Sequence, residues 1–359
     1  MNSPPIDNHS EQSLRRIPEI KEAGFSVSSM FVPIQFAILF AVLVVGFLLS
    51  LVSYSSFNLT LNDGWQVLLN FDTNNINHQI ISTLRLPRAL VAMMAGMGMA
   101  LAGLLMQGIT RNPLASPSLF GIGYGAGLAF TLSSLGLLPF VTELPIVLVC
   151  FIGALITGVL VFFMGGLHLS RINPIRVVLA GVALNFMLVS LVRALVIFAD
   201  NGAFSIFYWL VGNVSNAQYT DVDLAFPWLI LGFSLALFIS HKLNLLALGE
   251  DMMQSLGAGL THIRLIGGFS IILLIATSVS IAGPISFVGL IVPHICRFLI
   301  GRDHRLLVPF VTLAGGSLML FADVLSRAID FPNDNPIGIV TALIGAPFFL
   351  YLATRTRND

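Results

Sequence analysis

The chain has 359 residues, of which 56% are hydrophobic and only 9% are charged. Because an average soluble domain carries roughly 25% charged residues, this composition excludes a typical soluble globular enzyme. The 17 basic and 17 acidic residues balance, so no strong net charge points to nucleic acid as a partner.

The N-terminal part of the chain predicts a tail, an anchor and a loop. Residues 1–30 are polar without apolar periodicity, and we expect a mobile tail there. The apolar run Phe31–Ser53 is long enough to span a bilayer, which takes about 20 residues, and lacks the flanks of a cleaved signal peptide. The mixed segment 54–83 predicts a loop with one short amphipathic helix around Trp65–Leu69.

Nine more apolar runs follow, so the sequence predicts an all-α polytopic membrane protein with ten transmembrane helices. They are Arg88–Gln107, Ser118–Leu138, Leu144–Gly166, Pro174–Ala199, Leu224–His241, Ile263–Ala282, Pro284–Ile300, Leu307–Ala328 and Pro336–Ala353. The run at Ser118 is rich in glycine, and the run at Pro284 is short with Pro293 inside it. An even number of spans places both termini on one side of the membrane.

The distribution of basic residues indicates on which side of the membrane the termini lie. If both termini are cytoplasmic, thirteen basic residues lie at or near the inside: Arg15, Arg16, Lys21, Arg111, Arg171, Arg176, Lys242, Arg264, Arg297, Arg302, Arg305, Arg355 and Arg357. Four lie near the outside: Arg85, Arg88, Arg193 and Arg327. This bias is typical of cytoplasmic termini.

Short matching strings indicate an internal repeat. Leu84-Arg85-Leu86 and Leu101-Ala102-Gly103 recur as Ile263-Arg264-Leu265 and Ile281-Ala282-Gly283, at offsets of 179 and 180 residues. Asn173-Pro174-Ile175 opens the fifth span and Asn335-Pro336-Ile337 the tenth. Spans two to five would then pair with spans seven to ten in opposite orientation, as in many transporters; chance matches in an apolar chain are the alternative.

Several chemistries are excluded by the motifs that are missing. Cys150 and Cys296 lie in separate apolar runs, which supports neither a disulfide scaffold nor a zinc site. Neither Lys21 nor Lys242 belongs to a phosphate-binding G-x-x-x-x-G-K-[ST] signature, so any work with ATP falls to a partner. No cofactor or metal is expected, and no paired acids or nucleophile–base pattern indicates an intramembrane enzyme.

Two glycine-rich stretches are better explained by packing. Gly121–Ala126 fits the dinucleotide fingerprint only nominally, because no strand precedes it. Small residues four apart, such as Gly121 and Gly125, instead predict a helix face that a neighbour approaches closely. Gly96, Ala100 and Gly103 predict the same in the second span.

Three further segments stand out by their prolines, acids and glycines. Arg111–Pro117 contains Asn112 and Pro113 and predicts either a plain loop or a broken element beside a pathway. Gly283–His294 contains Pro284 at a first helical turn and Pro293 nine residues later, ahead of His294; a hydrogen-bonded helix end is the ordinary explanation of that histidine. Asp303-His304-Arg305 predicts a solvated loop that caps the next helix.

The cytoplasmic stretch Leu243–Gly259 predicts a short capped helix, since acids open it and glycines close it. A surface connector is the alternative. An apolar ridge would remain exposed to the cytosol and favour a protein partner; its members are Leu245, Leu248, Met252, Met253 and Leu256.

Asp323 and Arg327 lie four apart in the ninth span, in the order that favours a helical ion pair. Ionisable groups inside a span are functional candidates, so a proton relay through Asp323 is the competing interpretation.

Several strings together resemble the permease subunits of bacterial ABC importers for iron-siderophores, haem and cobalamin. They are Arg85-Leu86-Pro87-Arg88, Leu101-Ala102-Gly103, Met106-Gln107, Arg111 to Ala115, Tyr208-Trp209-Leu210, Leu243 to Glu250, Gly283 to His294, Asp303-His304-Arg305, Ala322-Asp323 and Thr341 to Phe348. The strings Ser116 to Leu119, Ile206 to Leu210 and Phe331-Pro332 look most like ferric citrate permeases. The chain departs from many relatives at Ser116, Asn213 and Asp334.

The resemblance implies ten spans per subunit, a second permease subunit, two cytoplasmic ATPase subunits and a periplasmic or lipoprotein binding protein. The fifth span, Ile175 to Ala199, is then expected to line the pathway. The residues implied in coupling to the ATPase are Leu248, Gly249, Glu250, Asp251, Met252, Leu256 and Gly257. Those implied in binding-protein docking are Arg85, Arg88 and Arg327. The alternative for Arg327 is pairing with Asp323, and the alternative for Arg85 and Arg88 is anchoring of a helix end at the lipid headgroups. The pathway or structural motif residues are Asn112, Pro113, Gly283, Pro284, Pro293 and His294.

The sequence therefore predicts the inner-membrane permease subunit of an ATP-driven importer for a ferric chelate. Its expected organisation is a cytoplasmic tail over 1–30, a transmembrane domain over 31–354 with a coupling segment at about 243–262, and a cytoplasmic tail over 355–359. The alternative is a secondary transporter driven by an ion gradient, with Asp323 as its coupling group.

Overall fold

The computed structural model describes residues 31–141, 143–166, 174–199, 202–255 and 259–355. Within these ranges the chain is helical and has no strand. The helices are α1 (Val32–Val52), α2 (Leu61–Leu69), α3 (Ile76–Ile80), α4 (Leu86–Thr110), α5 (Ile122–Ser134), α6 (Ile146–Met164), α7 (Pro174–Val196), α8 (Ala203–Leu210), α9 (Tyr219–Ala247), α10 (Glu250–Ser255), α11 (Leu260–Ala282), α12 (Val288–Ile300), α13 (His304–Ile329) and α14 (Ile337–Arg355).

Each of the ten predicted spans coincides with one of these helices, which confirms the all-α fold class. Seven helical segments in the described ranges are long and apolar enough to cross a membrane, and they contain α1, α4, α6, α7, α9, α11 and α13. Of the other three, α5 and α12 have only 13 residues each. Such a helix is about 20 Å long, so it covers only part of a hydrocarbon core of about 30 Å.

The two short helices begin late because irregular backbone precedes them. Proline opens both irregular segments, as Pro117 before α5 and Pro284 before α12. Non-helical backbone at membrane depth is tolerated where protein covers it or where it lines a cavity. Pro117 packs against Gly289 of α12, and both irregular segments line a cavity.

Packing supports the predicted inverted repeat. Helix α4 packs against α12 and α13, whereas α11 packs against α5 and α6, which is the exchange of partners that two interlocked repeats produce. The residues that cap α5 and α12 also match: Gly121 has φ 68° and ψ −5°, and Phe287 has φ 68° and ψ −26°. Both are left-handed, a conformation that a bulky residue rarely adopts.

The core centres on α4, whose small residues let its neighbours approach. A Cβ at Gly96 would overlap the backbone of Gly315 in α13, and one at Gly103 would overlap the backbone of Gly289 in α12. Ala100 lies against Gly315 in the same contact. The predicted small-residue face of the second span is therefore confirmed.

Two short helices differ from the sequence prediction. Helix α2 begins at Leu61, before the predicted Trp65, because Thr60 and Asp63 form a capping box. Helix α8 was not predicted, since its eight residues are too few to show a periodicity. It is held by Trp209, whose ring stacks on Phe130 with centroids 4.6 Å apart.

Candidate functional site: a membrane cavity and its flanking polar clusters

A cavity of about 580 Å³ lies among α4, α5, α8, α11, α14 and the segment before α12. Its walls are mainly apolar, with polar groups contributed by Ser118, Tyr124 and Ser286. No charged side chain lines the cavity in the part of the chain that the structure describes. The cavity can therefore accommodate a bulky solute but offers it few fixed polar contacts.

Three backbone segments meet at one wall of this cavity. The amide of Asn213 donates to the carbonyl of Ala282 at 2.8 Å, and the amide of Gly338 donates to the carbonyl of Gly212 at 3.1 Å. Gly283 has φ 72° and ψ −179°, a conformation essentially restricted to glycine. A side chain there would also meet the carbonyl oxygen of Trp209.

The structure places only some of the predicted pathway residues at the cavity. Pro284 lines the cavity and Gly283 supports its wall. Pro293 is buried inside α12, and the ring of His294 contacts that of Phe348 edge to face at 5.9 Å. Asn112 and Pro113 are exposed in the loop after α4 and do not line the cavity.

Near the proposed outer end of α13, Asp323 is fully buried and pairs with two arginines. Its Oδ1 accepts from Arg88 Nε at 2.7 Å, and its Oδ2 accepts from Arg327 Nη2 at 2.6 Å. The hydroxyl of Ser50 in α1 also donates to Oδ2, at 2.9 Å. The predicted Asp323–Arg327 pair is confirmed, and Arg88 is a partner that sequence spacing did not indicate.

The network continues through Asp334 to Tyr208 of α8. Arg88 Nη1 lies 2.9 Å from Asp334 Oδ1, and the side chain of Asp334 is 44% exposed. The hydroxyl of Tyr208 in α8 donates to the carbonyl oxygen of Asp334. Burial, and then the negative charge of Asp334, raise the pKa of Tyr208, so this phenol remains a donor at neutral pH.

These contacts change the interpretation of the three arginines expected at a docking face. Arg88 and Arg327 are only 6% and 2% exposed, because both pair with Asp323. The docking role implied for them stays a prediction, and the pairing with Asp323 that is the alternative for Arg327 is observed. Arg85 is half-buried, and its Nη2 donates to the carbonyl of Tyr54 at 3.1 Å.

At the opposite end of the spans, α9 and α10 form the predicted coupling segment. Leu248 and Met252 are 64% and 54% exposed, whereas Met253 is fully buried. The predicted ridge therefore lacks Met253, which faces inward. Gly249 joins the two helices with φ 115°, and Asp251 is exposed at the start of α10. Leu256 and Gly257 lie outside the described residues.

Glu250 forms ion pairs with two arginines of its own chain. Its Oε1 lies 2.7 Å from Arg264 Nη2 in α11 and 3.7 Å from Arg111 Nη2 after α4. These ion pairs tie α10 to two spans. Glu250 is thus a positioning residue of the segment, and Leu248 and Met252 form its exposed apolar surface.

A second polar cluster on this side was not anticipated. Arg297 Nη1 donates to Gln107 Oε1 at 2.5 Å, and Gln107 Nε2 donates to the carbonyl of Gly289 at 3.2 Å. The Oδ1 of Asn244 accepts from the His304 amide at 2.9 Å. Polar residues inside apolar runs are a usable signal for such clusters, but their partners come from distant spans.

The chain was compared with known proteins. The profile of the FecCD transport family matches residues 42–355. The Fe(3+)-citrate import system permease protein YfmD of Bacillus subtilis is 42% identical over 78% of this chain and 82% of its own length. The Fe(3+) dicitrate transport system permease protein FecC of Escherichia coli is 41% identical over 88% of this chain and 95% of its own.

A solved structure shares both the fold and part of the sequence. It is described as a metal-chelate type ABC transporter in an inward-facing conformation. It matches with a TM-score of 0.76 and 30% identity, covering 90% of this chain and 99% of that one.

Proposed function

Because the chain belongs to the FecCD transport family, we propose that it is the permease subunit of an ATP-driven importer that carries a ferric chelate across the bacterial cytoplasmic membrane. The observation that carries the proposal is a mainly apolar cavity of about 580 Å³ inside a helical membrane domain, in a chain 41% identical to a ferric dicitrate permease. The chain itself performs no catalysis.

The energy source is proposed to be a separate ATPase. The sequence has no phosphate-binding lysine signature, and the segment from Leu248 to Met252 offers an exposed apolar surface for a partner. Two such ATPase subunits, a second permease subunit and a binding protein complete the proposed assembly. The exposed apolar side chains of α7, including Leu179 and Phe186, are proposed to face the pathway between the two permeases.

The proposed orientation places both termini in the cytoplasm, because basic residues concentrate on that side. The transmembrane domain then covers 31–354, with cytoplasmic tails over 1–30 and 355–359. Under this orientation the Asp323 network lies near the outer surface, and α10 lies in the cytoplasm.

An ion-gradient mechanism through Asp323 is less well supported. A proton-coupling carboxylate must exchange protons with water during the cycle, whereas Asp323 is fully buried and bonded to Arg88 and Arg327.

The test is uptake by the assembled transporter in proteoliposomes loaded with ATP. We expect accumulation of radiolabelled ferric citrate or ferric hydroxamate that requires ATP, is blocked by vanadate and persists after ion gradients are collapsed. Liposomes carrying a transporter whose ATPase cannot hydrolyse ATP are the control. Uptake that follows an imposed proton or sodium gradient without ATP would identify a secondary transporter instead.

A further inference from the structure

The short helix α2 divides its surface into three sectors. Gly64 and Val67 are buried. The exposed apolar residues are Leu61, Trp65, Leu68 and Leu69, with exposures of 57%, 52%, 45% and 69%. Their spacing of i, i+4, i+7 and i+8 places them in one stripe. A third sector is exposed and polar, and consists of Asn62, Gln66 and Asn70.

The buried sector fixes α2 against the end of a membrane span. A Cβ at Gly64 would lie 3.2 Å from Val52 Cγ1, and Val67 belongs to the apolar cluster that contains Leu51 at the end of α1. The start of α2 is fixed separately, because Asn77 Nδ2 donates to Asp63 Oδ2 at 3.3 Å. The helix therefore has a defined rotation relative to α1.

The position of the apolar stripe indicates what covers it. Helix α1 is an apolar span with many exposed side chains, so lipid surrounds it up to the end where α2 packs. A helix at this height that has one side on protein, one apolar side and one polar side matches the boundary between acyl chains and water. Tryptophan is enriched at that depth. Asp63 is the only charged residue in α2, and it serves the N-terminal cap.

We propose that α2 lies in the membrane interface beside the end of α1, with Leu61, Trp65 and Leu69 among the lipid headgroups and upper acyl chains. Its partner is a lipid surface rather than a protein. Because α2 has no basic residue, the contact depends on apolar burial and not on anionic lipid. The proposal rests on the membrane location of α1 and is independent of the cargo.

The first test uses Trp65 as a reporter in the full-length chain in phosphatidylcholine nanodiscs. The chain has three tryptophans, and Trp209→Phe with Trp228→Phe leaves Trp65 alone while keeping aromatic rings at the other two sites. We expect loss of Trp65 fluorescence with lipids brominated near the headgroup, weaker loss with deeper bromines and weak quenching by iodide in water. Strong iodide quenching without bromolipid quenching would overturn the proposal.

The second test compares neighbouring positions and avoids the aromatic substitutions. Single cysteines at Leu61→Cys and Leu69→Cys are spin-labelled beside the matched controls Asn62→Cys and Asn70→Cys, all at exposed sites; the native cysteines are buried. We expect oxygen to reach the first pair better than a water-soluble nickel complex does, and the reverse at the controls. Equal accessibility in both pairs, or protection of the first pair only when a binding protein is added, would refute a lipid contact.

Discussion

At the scale of single residues, the charge balance around Asp323 decides how the outer ends of α1, α4 and α13 are held together. One buried carboxylate pairs with both Arg88 and Arg327, and Arg327 also donates from Nη1 to the carbonyl of Ser53 at 2.9 Å. A buried ion pair contributes little net stability compared with an apolar core, but loss of one partner leaves an uncompensated charge.

Asp323→Asn is therefore expected to destabilise the folded protein by about 3–5 kcal/mol, because the buried Arg327 loses its carboxylate partner and Arg88 keeps only Asp334. Equilibrium unfolding in mixed micelles measures this. The matched control is Asp334→Asn, where the side chain is 44% exposed and the expected cost is below about 1 kcal/mol. An Asp323→Asn variant as stable as the native protein that loses only gradient-driven uptake would revive the secondary-transporter interpretation.

Arg85 is the least buried of the three arginines proposed for docking. Arg85→Glu is expected to slow uptake and weaken binding-protein-stimulated ATP hydrolysis while basal hydrolysis persists, since charged contacts at an interface mainly affect register and association rate. The exposed Arg193 provides a control, because Arg193→Glu should leave the stimulation unchanged.

A compensating acid-to-lysine change on the binding protein should restore part of the loss caused by Arg85→Glu. If reversal at Arg85 leaves the stimulation and its salt dependence unaltered, this arginine only fastens the helix end to Tyr54.

At this scale the sequence predicts local pairs well and distant ones poorly. The Asp323–Arg327 contact follows from a spacing of four in one helix. The Arg88–Asp323 contact joins residues 235 positions apart, and no local pattern encodes it. The sequence therefore offers no local partner for Arg88, and its docking role is implied only by the family resemblance.

At the scale of elements, α10 and the residues just before it make ion pairs on one side and present an exposed apolar surface on the other. Glu250 connects the helix to Arg264 and Arg111, so a charge reversal at Glu250 would disturb the fold as well as any interface. Leu248 and Met252 make the outward surface and allow the interface to be tested by itself.

Leu248→Asp and Met252→Asp are expected to leave the permease in the membrane but to weaken its association with the ATPase. Loss of one buried apolar side chain costs about 1.5–3 kcal/mol, which is tenfold or more in affinity. Co-purification with the ATPase and coupled ATP hydrolysis measure the effect. The controls Leu248→Met and Met252→Leu retain apolar surface and should behave like the native protein. Normal coupling in both aspartate variants would show that α10 is not part of the ATPase interface.

At the scale of the whole molecule, all ten apolar runs were identified from hydropathy, because the period and length of buried or lipid-facing helices are local properties. The late starts of α5 and α12 were not predictable in the same way. Phe287 adopts φ 68°, and its side chain packs against Gly345 of α14, a contact that no local pattern encodes. The cavity likewise arises from segments that approach one another only in the folded chain.

The cavity lining leads to a prediction about affinity. Since no charged side chain lines it in the described ranges, we expect the isolated permease to bind ferric chelates more weakly than about 1 µM, or about −8 kcal/mol, and selectivity to reside in the binding protein. Titration calorimetry on the permease in nanodiscs checks this. Sub-micromolar binding of a ferric chelate to the permease alone would contradict it.

The glycine contacts of α4 have a consequence for motion. Its backbone touches α13 at Gly96 and α12 at Gly103 with no room for a methyl group, so these helices cannot slide past one another without steric collision. The three helices are therefore expected to travel as one rigid body. Rearrangement is then expected in the segments around the cavity and not between these three helices.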